Sequence, residues 1–464
     1  MDKKYYLAID IGASSGRHIL GSIENGKLVL EEIYRFKNGA SLIDGSYYWD
    51  WKELFSNVIE GLKVCKNINK IPCSVGIDTW GVDYALIDKY GQVIDGVYSY
   101  RDDRTLKTLP LVHEIISEKD IYVRTGIQKQ SYNTIYQLYD DKLTKKMDKA
   151  TNLLLMPDFI NYLLTGVKKT EFSEASTTGL INAKTADWDY ELIEMLGFDK
   201  SIFGEICTAG TLVGNLSDEI VNLVGFNTKV VLVPSHDTAS AIMSVPAEKD
   251  YVYISSGTWS LMGIINDEAI TSEKALQSGF TNERGYAGKI TFLQNIMGLW
   301  MIQCLRKELN DKYDFVQLVE EARKYSDFPS VLEVNDQSFF APTSMIDAVK
   351  DYCRKTNQKV PNEVGELAFC LLNSLAICYS KAIINLEEIS GKKYKTINIV
   401  GGGCQNVLLN ELTAKHTGRT VIAGPVEGTA IGNLISQILS DGCLSSLSCA
   451  KEIIKKSFNI TEIN

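Results

Sequence analysis

The feature that most constrains the fold is a strand, turn, strand pattern that occurs twice, about half a chain apart. Residues 5–11 (YYLAIDI) read as a strand, turn through Gly12, Ala13, Ser14, Ser15 and Gly16, and resume as a strand over 18–23 before the polar turn Glu24, Asn25, Gly26. Residues 251–255 (YVYIS), the turn Ser256, Gly257, Thr258, and residues 259–265 (WSLMGII) repeat that order. A hairpin is too small to bury its own apolar face and needs a covering layer. Two copies therefore predict one architectural unit used twice, in stretches 1–243 and 244–464, although few residues match and two unrelated hairpins would give the same pattern.

The rest of the chain supplies the covering layers. A third strand is expected over 27–36, and Trp51, Leu54, Phe55, Val58, Ile59 and Leu62 have helical spacing over 51–65. Residues 74–78 read as a buried strand, and 82–87 as a further strand after Thr79, Trp80 and Gly81. In the second half, residues 364–389 carry apolar positions at three-four spacing, and a strand over 395–400 opens into Gly401, Gly402, Gly403 before a helix starting at 406–412. A strand, glycine loop and helix in that order let backbone amides approach a phosphorylated ligand near a positive helix end. The alternation is that of an α/β protein.

Composition excludes several partners. The 48 basic and 58 acidic residues leave a net charge of −10, which opposes nucleic acid and anionic membrane surfaces alike. No uninterrupted apolar run approaches the roughly 18–20 residues of a spanning helix. The start lacks a long apolar signal core, and ten Cys without a CxxC spacing read as reduced thiols, so a cytoplasmic protein is expected. Four scattered His do not suggest a structural zinc site.

Three segments carry chemistry. Residues 10–17 (DIGASSGR) place two glycines, the Ser14 and Ser15 hydroxyls and the Arg17 guanidinium at a hairpin tip, a set of donors suited to phosphate oxygens, with Asp10 able to hold a hydrated Mg²⁺. A plain glycine-rich hairpin is the alternative. Residues 233–241 (VPSHDTASA) run from an apolar strand into a helix of small residues, so Asp237 reads equally as a base toward a substrate hydroxyl or as a helix N-cap, and His236 as a core histidine. Residues 78–83 (DTWGVD) with 100–104 (YRDDR) offer an aromatic face and carboxylates for a polyhydroxylated ligand, or a core Trp beside a solvated ion-pair patch. No GxxxxGK[ST] is present, and Gly401–Gly403 lack the GxGxxG spacing.

Taken together, AIDIGASSGR, GIDTWGVDY, YRDDRT, TGIQ, NTIYQL, LLMPD, SHDTASA, YISSGTWSLMG, NIMGLW, IVGGGCQN and IAGPVEG, in order over residues 8–428, resemble the FGGY family of sugar kinases, and within it the branch that acts on L-rhamnulose. The resemblance implies a two-domain actin-like ATPase (ribonuclease H-like) α/β fold with an interdomain active-site cleft. It implies ATP and Mg²⁺, and transfer of phosphate to the 1-hydroxyl of a ketose. On matched positions, Asp237 would accept the proton, with Gly81, His236, Thr238 and Asn295 contacting the ketose. Ala13, Ser14, Ser15, Gly16, Arg17, Thr258, Gln303 and Gly402 would contact ATP, and Asp10 would lie near the metal. Tyr132 stands where the family often has proline, and Arg284 where glycine is usual. The expected partners are a small-molecule ketose and ATP, with no nucleic acid and no membrane, in a monomer or small homo-oligomer. A kinase of L-fuculose, xylulose or glycerol shares the same motifs, and a non-enzymatic actin-like nucleotide switch is the reading from another class.

Overall fold

β1 (Tyr5–Ile11) and β2 (Ser15–Glu24) pair antiparallel, Asp10 opposite Arg17, and β3 (Lys27–Lys37) extends the meander, in a computed structural model that describes residues 3–464. α1 (Trp51–Asn67) starts where the Asp50 carboxylate accepts from the Glu53 N–H, and it buries Leu54, Val58, Ile59, Leu62 and Cys65, the stripe that the apolar spacing predicts. β4 (Pro72–Thr79) then lies parallel to β1 on the side away from β2, with Asp10 opposite Asp78. β5 (Leu212–Asn215) and β6 (Lys229–Val231) complete a six-stranded sheet in the order β5-β6-β4-β1-β2-β3, and α2 (Asp237–Met243) follows. The strand expected over 82–87 begins only at Tyr84, because Val82 adopts φ 70°, a conformation no strand residue has.

The second unit repeats the plan. β7 (Tyr251–Ser256) and β8 (Trp259–Asn266) form the antiparallel hairpin, β9 (Ile290–Met297) lies beyond β8, and α3 (Trp300–Glu308) follows. After α4 (Val364–Ser390), β10 (Thr396–Val400) pairs parallel with β7, and α5 (Val407–Thr417), β11 (Thr420–Ala423) and β12 (Thr461–Ile463) finish the order β9-β8-β7-β10-β11-β12, with a seventh strand, Phe280–Arg284, at the outer edge of β9. In both units the first hairpin strand is central, flanked by its antiparallel partner and by a later parallel strand, which is the duplication suggested by the two hairpins. α4 is long and apolar enough to cross a membrane by length and composition. It is a core helix, burying Leu367, Leu371, Leu375, Tyr379, Ile383 and Leu386 on one stripe and packing on α3 and α5.

The chain leaves the first unit at Ser244, and two later segments, Ile265–Phe292 and Thr429–Ser457, come back to it. The second of these carries α6 (Gly428–Ser440), whose apolar residues Ile431, Leu434, Ile435 and Ile438 are fully buried. Two buried amides, one helical turn apart, interrupt that apolar face. Gln437 Nε2 donates to Leu7 O at 2.9 Å, and Asn433 Nδ2 donates to Gly76 O at 3.1 Å, so α6 is stitched to both β1 and β4. Gly432 lets α6 approach α2 closely, since a Cβ there would stand 1.8 Å from Ser240 O. Gly432→Ala should lower unfolding free energy by about 1–3 kcal/mol, because backbone cannot yield as a flexible side chain does. Chemical denaturation followed by circular dichroism checks this, and an unchanged midpoint would contradict the close approach.

Candidate active site

The β1–β2 turn is built from its own backbone. Gly12 N–H donates to Ser15 O at 2.9 Å, and Asn38 ties the turn down through its N–H to Ser14 O at 3.0 Å and its Nδ2 to Gly12 O at 2.9 Å. Ala13 and Ser15 are half-exposed and Ser14 exposed, whereas Gly16 is buried under the Phe36 ring, which occupies the place of a Cβ. Arg17 Nη2 donates to Asp10 Oδ2 at 2.5 Å, so the guanidinium expected at the phosphates is anchored on the carboxylate expected at the metal.

Sheet register brings three carboxylates together. Asp10 and Asp78 face each other across β1 and β4, and the next residue, Thr79, bridges to His236, which places Asp237 at the same sheet end. Asp78 is fully buried; its Oδ2 accepts from Asn433 Nδ2 at 2.6 Å and its Oδ1 has no partner among the described residues. Burial and the Asp10 charge push its carboxyl well above the usual range, Asp237 adds to this, and Asn433 and Arg17 oppose it. Asp237 is the first residue of α2, and His236, not Asp237, occupies the N-cap position. Its side chain is 37% exposed, and Oδ1 accepts from Thr238 Oγ1 at 3.1 Å. Loss of water around it and the Asp10 charge raise its carboxyl, while His236 pulls it down.

His236 is not a core histidine satisfied by backbone. Its Nδ1 lies 3.1 Å from Glu283 Oε2 and its Nε2 lies 3.5 Å from Asp237 Oδ1. The first contact is an ion pair whose angles fall outside those of a hydrogen bond. Behind it, a buried brace holds the loop: Ser235 N–H donates to Glu171 Oε2 at 3.1 Å, Ser173 Oγ donates to the same oxygen at 2.5 Å, and His236 N–H donates to Ser173 Oγ at 3.2 Å.

The aromatic and acidic set over 78–104 divides. Trp80 is buried against Trp49, ring centroids 4.2 Å apart, and both indole N–H groups donate to Asp83 Oδ2, at 2.9 and 2.7 Å. Gly81 lies over Thr177, whose Cγ2 would be 3.0 Å from a Cβ. Arg104 is structural rather than part of a solvated patch: its Nη1 donates to Asp140 Oδ2 and Asp141 Oδ1 at 2.9 and 3.0 Å. Tyr132 packs edge-on to Tyr100 at 5.8 Å, and Arg284 stacks over Phe172 while donating to Ala183 O at 2.7 Å.

Within the second unit, Thr258 is exposed at the β7–β8 tip, where Gly257 N–H donates to Trp259 O at 2.8 Å, and Thr258 Oγ1 donates to Gln303 Oε1 of α3 at 3.4 Å. Asn295 is half-buried on β9. Gly402 is exposed, with open space where a Cβ would point, and its loop is held by Gly401, at φ 84°, and by Gly403, packed on Ser256. Of the sequence-derived candidates, the structure therefore groups Asp10, Arg17, His236, Asp237 and Thr238 in one unit and pairs Thr258 with Gln303 in the other.

Two sheets of the ribonuclease H-like order, each built on a central hairpin strand, define the class of fold, that of the two-unit actin-like proteins. Residues 5–244 match the N-terminal domain and residues 252–440 the C-terminal domain of the FGGY family of carbohydrate kinases. The chain belongs to that family and is an ATP-dependent sugar kinase. It is 45% identical over 458 residues to the rhamnulokinase of Halalkalibacterium halodurans, covering 98% of each chain, and 42% identical to that of Bacillus subtilis, covering 98% of this chain and 94% of the other. The fold is shared with the gluconate kinase of Lactobacillus acidophilus, TM-score 0.79 at 20% identity over 100% of this chain and 94% of that one. It is shared too with Plasmodium falciparum glycerol kinase with ADP, TM-score 0.77 at 16% identity over 99% and 94%.

The His236 environment makes a measurable statement. Burial disfavours its charge, but Glu283, by charge and contact, then Asp237 and Glu171 outweigh it and push the imidazole up to about 9. A raised folded value means the pairing stabilises fully below the ordinary histidine value near 6.5 and is lost as pH rises through about 9. Imidazole NMR should show His236 still charged at pH 7.5, with Glu283→Gln lowering its titration midpoint. A midpoint at or below the ordinary value in the unaltered protein would refute this.

Proposed function

We propose that the protein transfers the γ-phosphoryl group of ATP to the 1-hydroxyl of L-rhamnulose, giving L-rhamnulose 1-phosphate and ADP, in the cytoplasm and as a monomer or small homo-oligomer. The observation that carries the sugar is the set of relatives named rhamnulokinase at 38–45% identity over almost the whole chain. The observation that supports the chemistry is Asp237, a carboxylate at the first turn of α2 with its side chain partly open to solvent and its Oδ1 oriented by Thr238.

In this reading Asp237 orients the 1-hydroxyl and takes its proton as the new P–O bond forms, while Gly81, His236, Thr238 and Asn295 hold the ketose. His236, kept charged by Glu283, lowers the tendency of Asp237 to hold a proton at rest. The backbone and hydroxyls of Ala13, Ser14, Ser15 and Gly16, with Arg17, Thr258, Gln303 and Gly402, bind ATP. The donor set fits a magnesium ion: two strand-end carboxylates repel one another, and the buried Asp78 Oδ1 has no partner. Asp10, with Asp78 beside it, would hold the ion, which when bound offsets charge on the phosphate oxygens. A divalent ion normally keeps several waters, so a closed cage of three protein ligands, which none of the described residues form, is not needed.

The test is a coupled ADP-release assay across L-rhamnulose, L-fuculose, xylulose and glycerol. L-rhamnulose should give the highest kcat/KM, and a higher value for another acceptor would reassign the substrate within the family. Asp237→Asn should lower kcat by roughly 10² to 10⁴ with ATP binding nearly intact, since only the proton acceptor is lost. Calorimetric ATP titration beside the turnover assay measures both, and near-normal turnover would remove Asp237 from the mechanism.

A further inference from the structure

Immediately after β4 the backbone does something that the local sequence does not favour. Val82, a β-branched residue, sits at φ 70°, where such side chains crowd their own backbone. The Asp83 N–H donates to Gly81 O at 3.0 Å, which closes a three-residue turn around Val82. With a positive φ at its centre this is the strained form of γ-turn. Such strain survives only where the surroundings over-determine the conformation.

The surroundings do so here from several independent segments. Val82 N–H donates to Thr177 Oγ1 at 3.0 Å, and Thr134 Oγ1 donates to Val82 O at 2.6 Å. Asp83, buried, accepts from Trp49 Nε1 at 2.7 Å, Trp80 Nε1 at 2.9 Å, the Tyr100 N–H at 3.0 Å and Gln137 Nε2 at 3.0 Å. Core packing does not account for the turn, since the Val82 side chain is only half-buried. The turn begins two residues beyond Thr79, the last residue of β4 and the one bridged to His236, and turns the chain out of the strand direction. A chain that continued as a strand, as the alternation over 82–87 favours, would carry Gly81 and Trp80 on along β4 and away from the His236–Asp237 step.

We propose that the Gly81–Val82–Asp83 turn is a strained clamp that positions the acceptor sugar against Asp237, with Val82 as its positioning residue and Thr177 and Asp83 as its anchors. The proposal rests on the sugar-kinase reading of this site. The anchors hold the turn against its strain, and the stiff β-branched Val82 leaves it few other conformations, so the Gly81 backbone is ordered before the sugar arrives and that ordering does not have to be supplied by binding.

Val82→Gly removes the crowding and leaves every anchor in place, so it tests the clamp without threatening the fold. Its melting temperature should equal or exceed that of the unaltered protein, because glycine accepts positive φ freely. Its KM for the acceptor should rise about fivefold or more while its KM for ATP stays within about twofold. Thr177→Val, which deletes the acceptor of the Val82 N–H at nearly constant shape, should move the same constant in the same direction. A Val82→Gly protein with a lower melting temperature would overturn the strain, and one with an unchanged acceptor KM would overturn the positioning role. Each constant is measured on whichever acceptor the unaltered enzyme phosphorylates best. Silence toward L-rhamnulose therefore refutes the proposed substrate and leaves the clamp to be judged on its own outcomes.

Discussion

The parallel pairing of β1 with β4 is the constraint from which the rest of the first unit follows. It sets Asp10 directly opposite Asp78, two acids at adjacent strand ends, one of them wholly buried. Like charges so placed cannot both be ionised without help. The help comes from Arg17, reached through the register of β1 with β2, and from Asn433, which arrives on α6 from more than three hundred residues away. His236 and Asp237 join the same corner through the bridge to Thr79. A carboxylate set that would destabilise an ordinary core is here concentrated at one sheet end.

The two hairpins show how one device acquires different chemistry. Each tip is closed by a glycine N–H bonded forward to a carbonyl, Gly12 to Ser15 and Gly257 to Trp259. In the first unit the residue pair before the tip is Asp10 and Asp78; in the second, the corresponding pair is Ser255 and Val400. The frame is the same, yet only one copy places charge at its strand ends. The second copy leaves its tip to Thr258 and the hydroxyl-to-amide contact with Gln303.

Much of this was legible in the sequence, for reasons of period. Residues 5–11, 51–65, 251–265 and 364–389 have apolar spacings that belong to one kind of element, and each is found as such within a residue or two. The strand over 82–87 misled at its start because a tertiary clamp, not the alternation, sets the Val82 backbone. Whether Asp237 caps the helix was undecidable from spacing, and the structure gives the cap position to His236. Glu171, Ser173, Glu283 and Asn433 left no pattern because the site residues they hold, Ser235, His236 and Asp78, are remote from them in sequence. Only Asn433 and Gln437 left a trace, two amides one turn apart on a helix whose other long side chains are all apolar.

The return of residues 429–457 to the first unit bears on how the protein is made. A ribosome delivers β1 and β4 early, but the helix whose amides satisfy Leu7, Gly76 and Asp78 follows more than three hundred residues later. Until then the nascent sheet carries an uncovered apolar face and an unpaired buried acid, the kind of exposed surface that holdase chaperones retain. The unit that begins the chain is thus not complete until its late segment 429–457 has been made, and the acidic corner waits for Asn433.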